Sequence, residues 1–306
     1  MHRWLETERA ARICAVLGAL AIAWSSIFVK LSHASPSTAA IFRCAYALPL
    51  LLTLALFEDR RYGARSWRDR RAAIAAGVFL AIDLVFWHHS IDDVGAGLGT
   101  VLANIQVVFV PLVAWIVLSE HPGPRVLVAL PVTLLGVVLI SGVLEHGAYG
   151  RDPRAGAAYG VAAGISYVGV LLLLRRGGVD LRRPAGPLFD MTLTAAIVSS
   201  AIGALWGDAR FIPIWPGAGW LIALALTSQV LGWMLITISL PRLPAALTSL
   251  LLMIQPIGSM ILGAIIFGES PSALQLAGVL VVLGAVLFAT RRVSGRDRAS
   301  VLGAAG

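Results

Sequence analysis

The sequence predicts an all-α integral membrane protein: ten transmembrane helices arranged as two inverted five-helix repeats, both termini cytoplasmic. Three observations predict it. Of 306 residues, 58% are apolar and only 13% charged, about half the charged share of soluble chains, and the mean hydropathy is +0.85. The apolar residues fall into ten runs, each close to the roughly 20 residues that a helix needs to cross the hydrocarbon core. The second half of the chain also repeats motifs of the first.

The runs cover about 12–30, 37–57, 72–90, 95–118, 125–142, 156–174, 187–206, 218–239, 244–267 and 272–290. They are continuously apolar and about twice the length of a barrel strand, so strands are excluded. Backbone groups in hydrocarbon must be satisfied within the segment, which leaves helices. The first run follows Arg3, Arg9 and Arg12, and Ser32-His33-Ala34 resembles a signal-cleavage site. Its apolar core is longer than a signal peptide's, so it reads as a retained helix. Cys14 and Cys44 both lie in apolar runs, so no disulfide framework is implied. The net charge of +8 comes from arginine clusters between the runs, which speaks for membrane orientation rather than nucleic acid. With the N-terminus inside, nineteen lysines and arginines fall on cytoplasmic segments and four (Lys30, Arg151, Arg154, Arg210) on external ones. That asymmetry places both termini inside.

The repeat is carried by ANIQVVFVPLVAWIVLSEHP (103–122) and LMIQPIGSMILGAIIFGESP (252–271). Ile105-Gln106 matches Ile254-Gln255, Glu120 matches Glu269, and Pro122 matches Pro271. LLGVVLIS (134–141) parallels VLGAVLFA (282–289), and IFR (41–43) sits where LFD (188–190) recurs. The two units are 12–142 and 156–290, flanked by cytoplasmic tails 1–11 and 291–306. Five helices per unit is an odd number, so the second copy enters the membrane upside down. Inverted repeats of this kind place a solute site near the midplane of secondary transporters, between two states open to opposite sides.

The chain resembles the EamA-type family of the drug/metabolite transporter superfamily over roughly residues 12–290. The resemblance rests on AWSSIFVKL (23–31), AAIFRCAYALPLLL (39–52), the block of helices 3 and 4, LSEHP (118–122), FGESP (267–271) and the glycine-bearing last helix. It implies a ten-helix carrier of the bacterial inner (cytoplasmic) membrane, commonly an exporter of amino acids or other small metabolites. It also implies a central cavity lined by helices 1–4 and 6–9, with helices 5 and 10 peripheral. The corner His88, His89, Asp92, Asp93 departs from the usual pattern.

Asp83 is the first site candidate. It lies some eleven residues into helix 3, where a charged carboxylate facing lipid costs several kcal/mol, so it should face protein or a wet cavity. A carboxyl there that titrates near neutrality could carry a coupling proton; the structural alternative is a protonated group bonded to backbone. Trp87, one turn on, shares its face. His88 and Asp92, like His89 and Asp93, are four apart and share helix faces. Such a set could hold a divalent metal or simply cap the helix in water, and the aqueous reading is favoured for the aspartates. Asn104, Gln106, Gln229 and Gln255 either bond helix to helix or form a binding site, with Gln106 and Gln255 repeat-related. Trp24, Tyr167 and Trp233 are candidate cavity aromatics. Arg43 lies about two turns from its interface and reads as snorkelling outward in a structural role. Glu120 and Glu269 read as helix-end caps. Gly95, Gly97 and Gly99 form GxGxG without a preceding strand, so they signal close packing rather than a dinucleotide site. Pro111 and Pro256 are candidate hinges.

The sequence therefore predicts a secondary transporter moving a small-molecule solute by alternating access, with export as the expected direction. The expected partners are that solute, the lipid bilayer and a proton, without nucleic acid; no cofactor or metal is expected. One alternative is an uncoupled uniporter of the same fold. The other is a membrane-embedded metal-dependent enzyme or sensor, against which stands the lack of an HExxH or GxSxG motif.

Overall fold

The computed structural model describes residues 8–118, 124–176, 182–239 and 254–290. Among them every regular element is a helix and none is a strand. Six stretches are long and apolar enough to cross a membrane: Arg9–Ser32, Pro36–Tyr62, Trp67–Val110, Pro153–Leu173, Ala185–Trp206 and Gly217–Ser239. Pro124–Ile140, Ile254–Phe267 and Ala273–Ala289 are shorter apolar helices.

Several of these stretches are broken. The first consists of α1 (Glu8–Ala23) and α2 (Ser25–Ser32), interrupted at Trp24. The second consists of α3 (Pro36–Ala45) and α4 (Leu48–Tyr62). Pro36 opens α3 at a position where its missing N–H is no loss. The third begins with α5 (Trp67–Ala103), capped by the Ser66 hydroxyl accepting from the Asp69 N–H. Drawn straight, its 44 residues would reach about 66 Å, twice a bilayer core. Instead the chain turns at Gly95, whose φ of 90° and ψ of 169° lie outside the helical region. That region is essentially reserved for glycine. Beyond the turn the chain doubles back: a Cβ on Gly99 would stand 3.1 Å from the Ile91 nitrogen, eight residues earlier. The second arm ends at Asn104, and the chain resumes as α6 (Gln106–Leu118).

The remaining elements are α7 (Pro124–Ile140), α8 (Pro153–Arg176), α9 (Ala185–Trp206), α10 (Gly217–Leu224), a π-helical segment Ala225–Gly232, α11 (Trp233–Ser239), α12 (Ile254–Phe267) and α13 (Ala273–Thr290). The expected limits 72–90 and 95–118 are corrected. The helix starts at Trp67 and carries His88 to Val94 in regular turns, because glycine and not the charged residues ends it. The sequence-predicted limits 244–253 of helix 9 lie outside the described residues, as do Glu120 and Pro122.

The two arms of α5 form the centre, packed chiefly against α8 and α9, while α7 pairs with α13. The α7–α13 contact is backbone to backbone: a Cβ on Gly136 would meet the Gly278 carbonyl oxygen at 2.9 Å, and the reverse contact would be 2.7 Å. Large apolar side chains such as Ile116, Leu205, Ile265 and Leu280 point outward and are more than two-thirds exposed. Polar side chains such as Arg43, Asp83, Asp190 and Gln229 are buried. Apolar outside and polar inside is the distribution that a lipid solvent requires.

Candidate functional site

A cavity of about 80 Å³ lies inside the bundle where the broken helices meet. Arg43 enters it from α3, and Asp83 and Trp87 from the first arm of α5. Thr100, Ala103 and Asn104 come from the second arm, Gln106 from α6, and Tyr167 from α8. Trp233 opens α11 and Gln255 sits in the first turn of α12. Ile22, Leu80 and Leu84 supply apolar wall.

The helix break at this level has a local cause. The Thr100 hydroxyl donates to the Ala96 carbonyl at 2.7 Å, and the Asn104 side-chain amide donates to the Thr100 carbonyl at 2.8 Å. These side chains compete for carbonyls of the helix ladder, and the helix stops. Irregular backbone at membrane depth is tolerated where it borders a cavity. The π-helical segment places Gln229 against Arg43 from the other half, and such segments recur at functional sites.

Seven sequence-predicted residues meet at the cavity: Asp83, Trp87, Asn104, Gln106, Tyr167, Trp233 and Gln255. Three do not. Trp24 is 39% exposed and stacks on Phe28, with ring centroids 5.7 Å apart. His88 is buried with its Nδ1 3.1 Å from the Pro36 carbonyl oxygen. It sits one residue past Trp87 and so about 100° round the helix from the cavity face. Gln229 stands behind the wall, its Oε1 accepting from Arg43 Nε at 2.9 Å and its Nε2 donating to Thr192 Oγ1 at 3.1 Å. The candidate hinge Pro256 is buried in α12, and Pro111 falls within α6, seven residues past the observed break at Asn104.

Arg43 corrects the sequence reading most. It does not snorkel: it is 3% exposed and turned inward. Its Nη1 donates to Ser25 Oγ at 2.9 Å, and its guanidinium carbon lies 5.6 Å from the centroid of the Trp87 ring, within cation–π range. A signal was present in the sequence. Ala39, Ala40 and Ala47 share its helix face, and a stripe of small residues marks a buried face in a membrane bundle.

The charged groups at the two ends of the bundle tie helices together. At the Gly95 end, Glu269 accepts from the Ala96 and Gly97 N–H groups at 2.7 and 3.1 Å and pairs with Lys30 at 2.7 Å. It thus caps the second arm of α5, in keeping with the helix-capping reading. Arg151 pairs with Asp93 at 2.6 Å and Asp92 at 2.9 Å. Its hydrogen bond to Asp93, with Asp92 alongside, raises the guanidinium above the ordinary arginine range. His89 Nε2 lies 3.6 Å from Asp208. Among the described residues, no three His, Cys, Asp or Glu side chains converge as metal ligands. At the opposite end, Glu58 accepts from the Ala185 and Gly186 N–H groups at 3.0 and 2.9 Å, capping α9. Asp190 sits between Arg65 at 2.8 Å and Arg70 at 3.3 Å. The sequence reading did not single out Glu58; it placed Asp190 as the repeat equivalent of Arg43 but not its pairing with arginines more than a hundred residues earlier.

A helical bundle with a lipid-suited exterior, discontinuous helices and a polar internal cavity is the architecture of a multi-pass membrane protein. The model of the EamA-like transporter family matches residues 10–142 and again 154–291, and the chain belongs to that family. Two relatives from Archaeoglobus fulgidus are each described as an "Uncharacterized transporter". One is 23% identical over 89% of this chain and 95% of its own length; the other is 21% identical over 94% and 99%. A solved structure described as "Crystal structure of protein" shares the fold, with a TM-score of 0.60 at 16% identity over 92% of this chain and 97% of that one.

Proposed function

We propose that this protein is a secondary transporter that exports a small organic solute, an amino acid or another metabolite, across a bacterial cytoplasmic membrane by alternating access. In this reading ten helices form two inverted halves, residues 12–142 and 156–290, with both termini inside. The halves rock about the cavity, with Pro111 and Pro256 as hinges. The observation that carries the reading is the cavity itself, where residues of both halves meet at helix breaks and Gln106 faces the same space as its repeat partner Gln255. Two further features support it: the family model matches two consecutive segments, and lysine and arginine are strongly biased to one side. At about 80 Å³ the cavity is smaller than the few hundred Å³ of a typical ligand site, so alternating access in this reading requires it to widen.

Asp83 is the proposed coupling group, since it is the carboxyl on the cavity wall. The test is uptake of amino acids and small metabolites into proteoliposomes with and without an imposed pH gradient. Saturable flux that follows the gradient, and loses that dependence in Asp83→Asn, is the expected result. Saturable flux indifferent to the gradient would make the protein a uniporter, and absence of saturable flux for every solute would count against transport of this class.

A further inference from the structure

Resting on that transport reading, we propose that the solute is an organic anion, that Arg43 binds its negative charge, and that Asp83 competes with it for the same guanidinium. Arg43 is held but not neutralised. Its two hydrogen-bond partners, Gln229 and Ser25, are uncharged and fully buried, and Trp87 covers it at 5.6 Å. Gln229 is fixed in turn by Thr192. These contacts aim the guanidinium without supplying a counter-charge. A buried arginine in a membrane bundle requires one, or water. Among the described residues no carboxylate forms an ion pair with Arg43, and Asp83 is the acid that shares its cavity.

Asp83 is equally unclaimed. Among the described residues its carboxyl has neither a hydrogen bond nor an ion pair, although the residue is only 7% exposed. The Gln106 and Gln255 amides and the Tyr167 hydroxyl likewise have no side-chain hydrogen bond there. All four groups open onto the cavity, so its contents, solute or water, are what they bond to. Arg43, the two amides and the tyrosine hydroxyl can all donate to an anion, and Trp87 and Trp233 supply flat apolar wall for its carbon skeleton. A zwitterion is the rival: its ammonium would take ionised Asp83 and the amide oxygens as acceptors, and the amino-acid members of the test read it.

Charge balance then gives the coupling. With Asp83 ionised, the guanidinium charge is already balanced and an added anion has no uncompensated cation to meet. With Asp83 protonated, the guanidinium is left for the solute, so one proton and one anion load together. The titratable groups around the pair are Tyr167 from α8, Cys44 beside Arg43 on α3, and His88 on α5. Gln229 and Thr192, which reach it from the π segment and α9, and Gln255 from α12 do not titrate. Asp190 of α9 is occupied by Arg65 and Arg70, and Glu269 by Lys30.

The test is thermal stabilisation of the purified full chain in nanodiscs by size-matched triads: pyruvate, alanine and propionamide, then phenylpyruvate, phenylalanine and 3-phenylpropionamide. The expected result is stabilisation by a carboxylate member and not by its amino-acid or amide counterpart. Its half-saturating concentration should rise about thirtyfold or more in Arg43→Gln, and less in Arg43→Lys, which keeps the charge. In the wild type the stabilisation should weaken from acid to alkaline buffer, and in Asp83→Asn it should be independent of pH. If Arg43→Gln does not fold, Arg43→Lys and the Asp83→Asn pH profile decide. Stabilisation by the alanine or amide members, or by a carboxylate undiminished in the Arg43 variants, would overturn the inference and leave the carrier standing. If no member stabilises the protein and none enters proteoliposomes, the inference and the transport reading both fail.

Discussion

Replacing Glu269 should be among the most damaging single changes to the stability of this bundle. Its residue is 6% exposed, and its carboxylate takes the first two free N–H groups of the arm beyond Gly95, those of Ala96 and Gly97. Negative charge at a helix N-terminus is favourable in itself, and a hydrogen bond to a charged group contributes about 1.5–3 kcal/mol. Lys30 adds little, on the order of 1 kcal/mol or less, because its side chain is 27% exposed and can turn to water. Glu269→Gln keeps the shape and one acceptor oxygen but turns an amide NH₂ toward a backbone N–H, at a cost of about 2–3 kcal/mol. Glu269→Ala strands both N–H groups, at about 3–5 kcal/mol, while Lys30 turns to water. Lys30→Met should cost about 1 kcal/mol or less. The assay is reversible denaturation of the three variants in mixed micelles. Equal losses for Lys30→Met and Glu269→Ala, or no loss for Glu269→Ala, would refute the capping argument.

Three further changes follow from the same geometry. Gly95→Ala must adopt a glycine-only conformation, at about 1–3 kcal/mol, and its Cβ would stand 2.8 Å from the Glu269 carboxylate; denaturation should show a loss at least that large, with flux abolished. Asp190→Asn leaves Arg65, whose side chain is 7% exposed, with only the more distant Asp59 at 3.9 Å as counter-charge. The expected loss is about 2–3 kcal/mol, below the full buried-pair value because Arg70 is half exposed, and denaturation in micelles again reads it. Arg151→Ala should cost about 1–2 kcal/mol, and less at high salt, because the arginine is 68% exposed while the Asp93 it pairs with is only 5% exposed; a larger, salt-independent loss would show that this pair holds the bundle together.

The membrane fold was legible because hydrocarbon dictates composition over whole segments, and the Glu269 cap was legible because the acid recurs at a helix end. The breaks were not. Proline drew the expected hinges to Pro111 and Pro256, whereas the chain also breaks at Asn104, where no proline or glycine stands and side-chain to carbonyl bonds decide. The cavity residues that share a face with Asp83, or follow the Gln106–Gln255 repeat, were found from spacing. Trp24, His88 and Gln229 were misplaced because position along a span gives depth but not rotation about the helix axis. Arg43 was missed for the opposite reason. Its depth near one end allowed snorkelling, the small-residue face of Ala39, Ala40 and Ala47 went unread, and Ser25 and Gln229 hold it inward.

The central claim is that the Arg43–Asp83 cavity is reached in turn from each side of the membrane. The chain's two cysteines, Cys14 and Cys44, can be replaced by alanine, and Gln255→Cys then puts a single thiol on the cavity wall. The most direct measurement is labelling of that thiol by a membrane-impermeant maleimide in right-side-out and in inverted vesicles. Alternating access predicts labelling from both sides, with each side's rate changed by a transported solute. Labelling from one side alone, with and without solute, would contradict it.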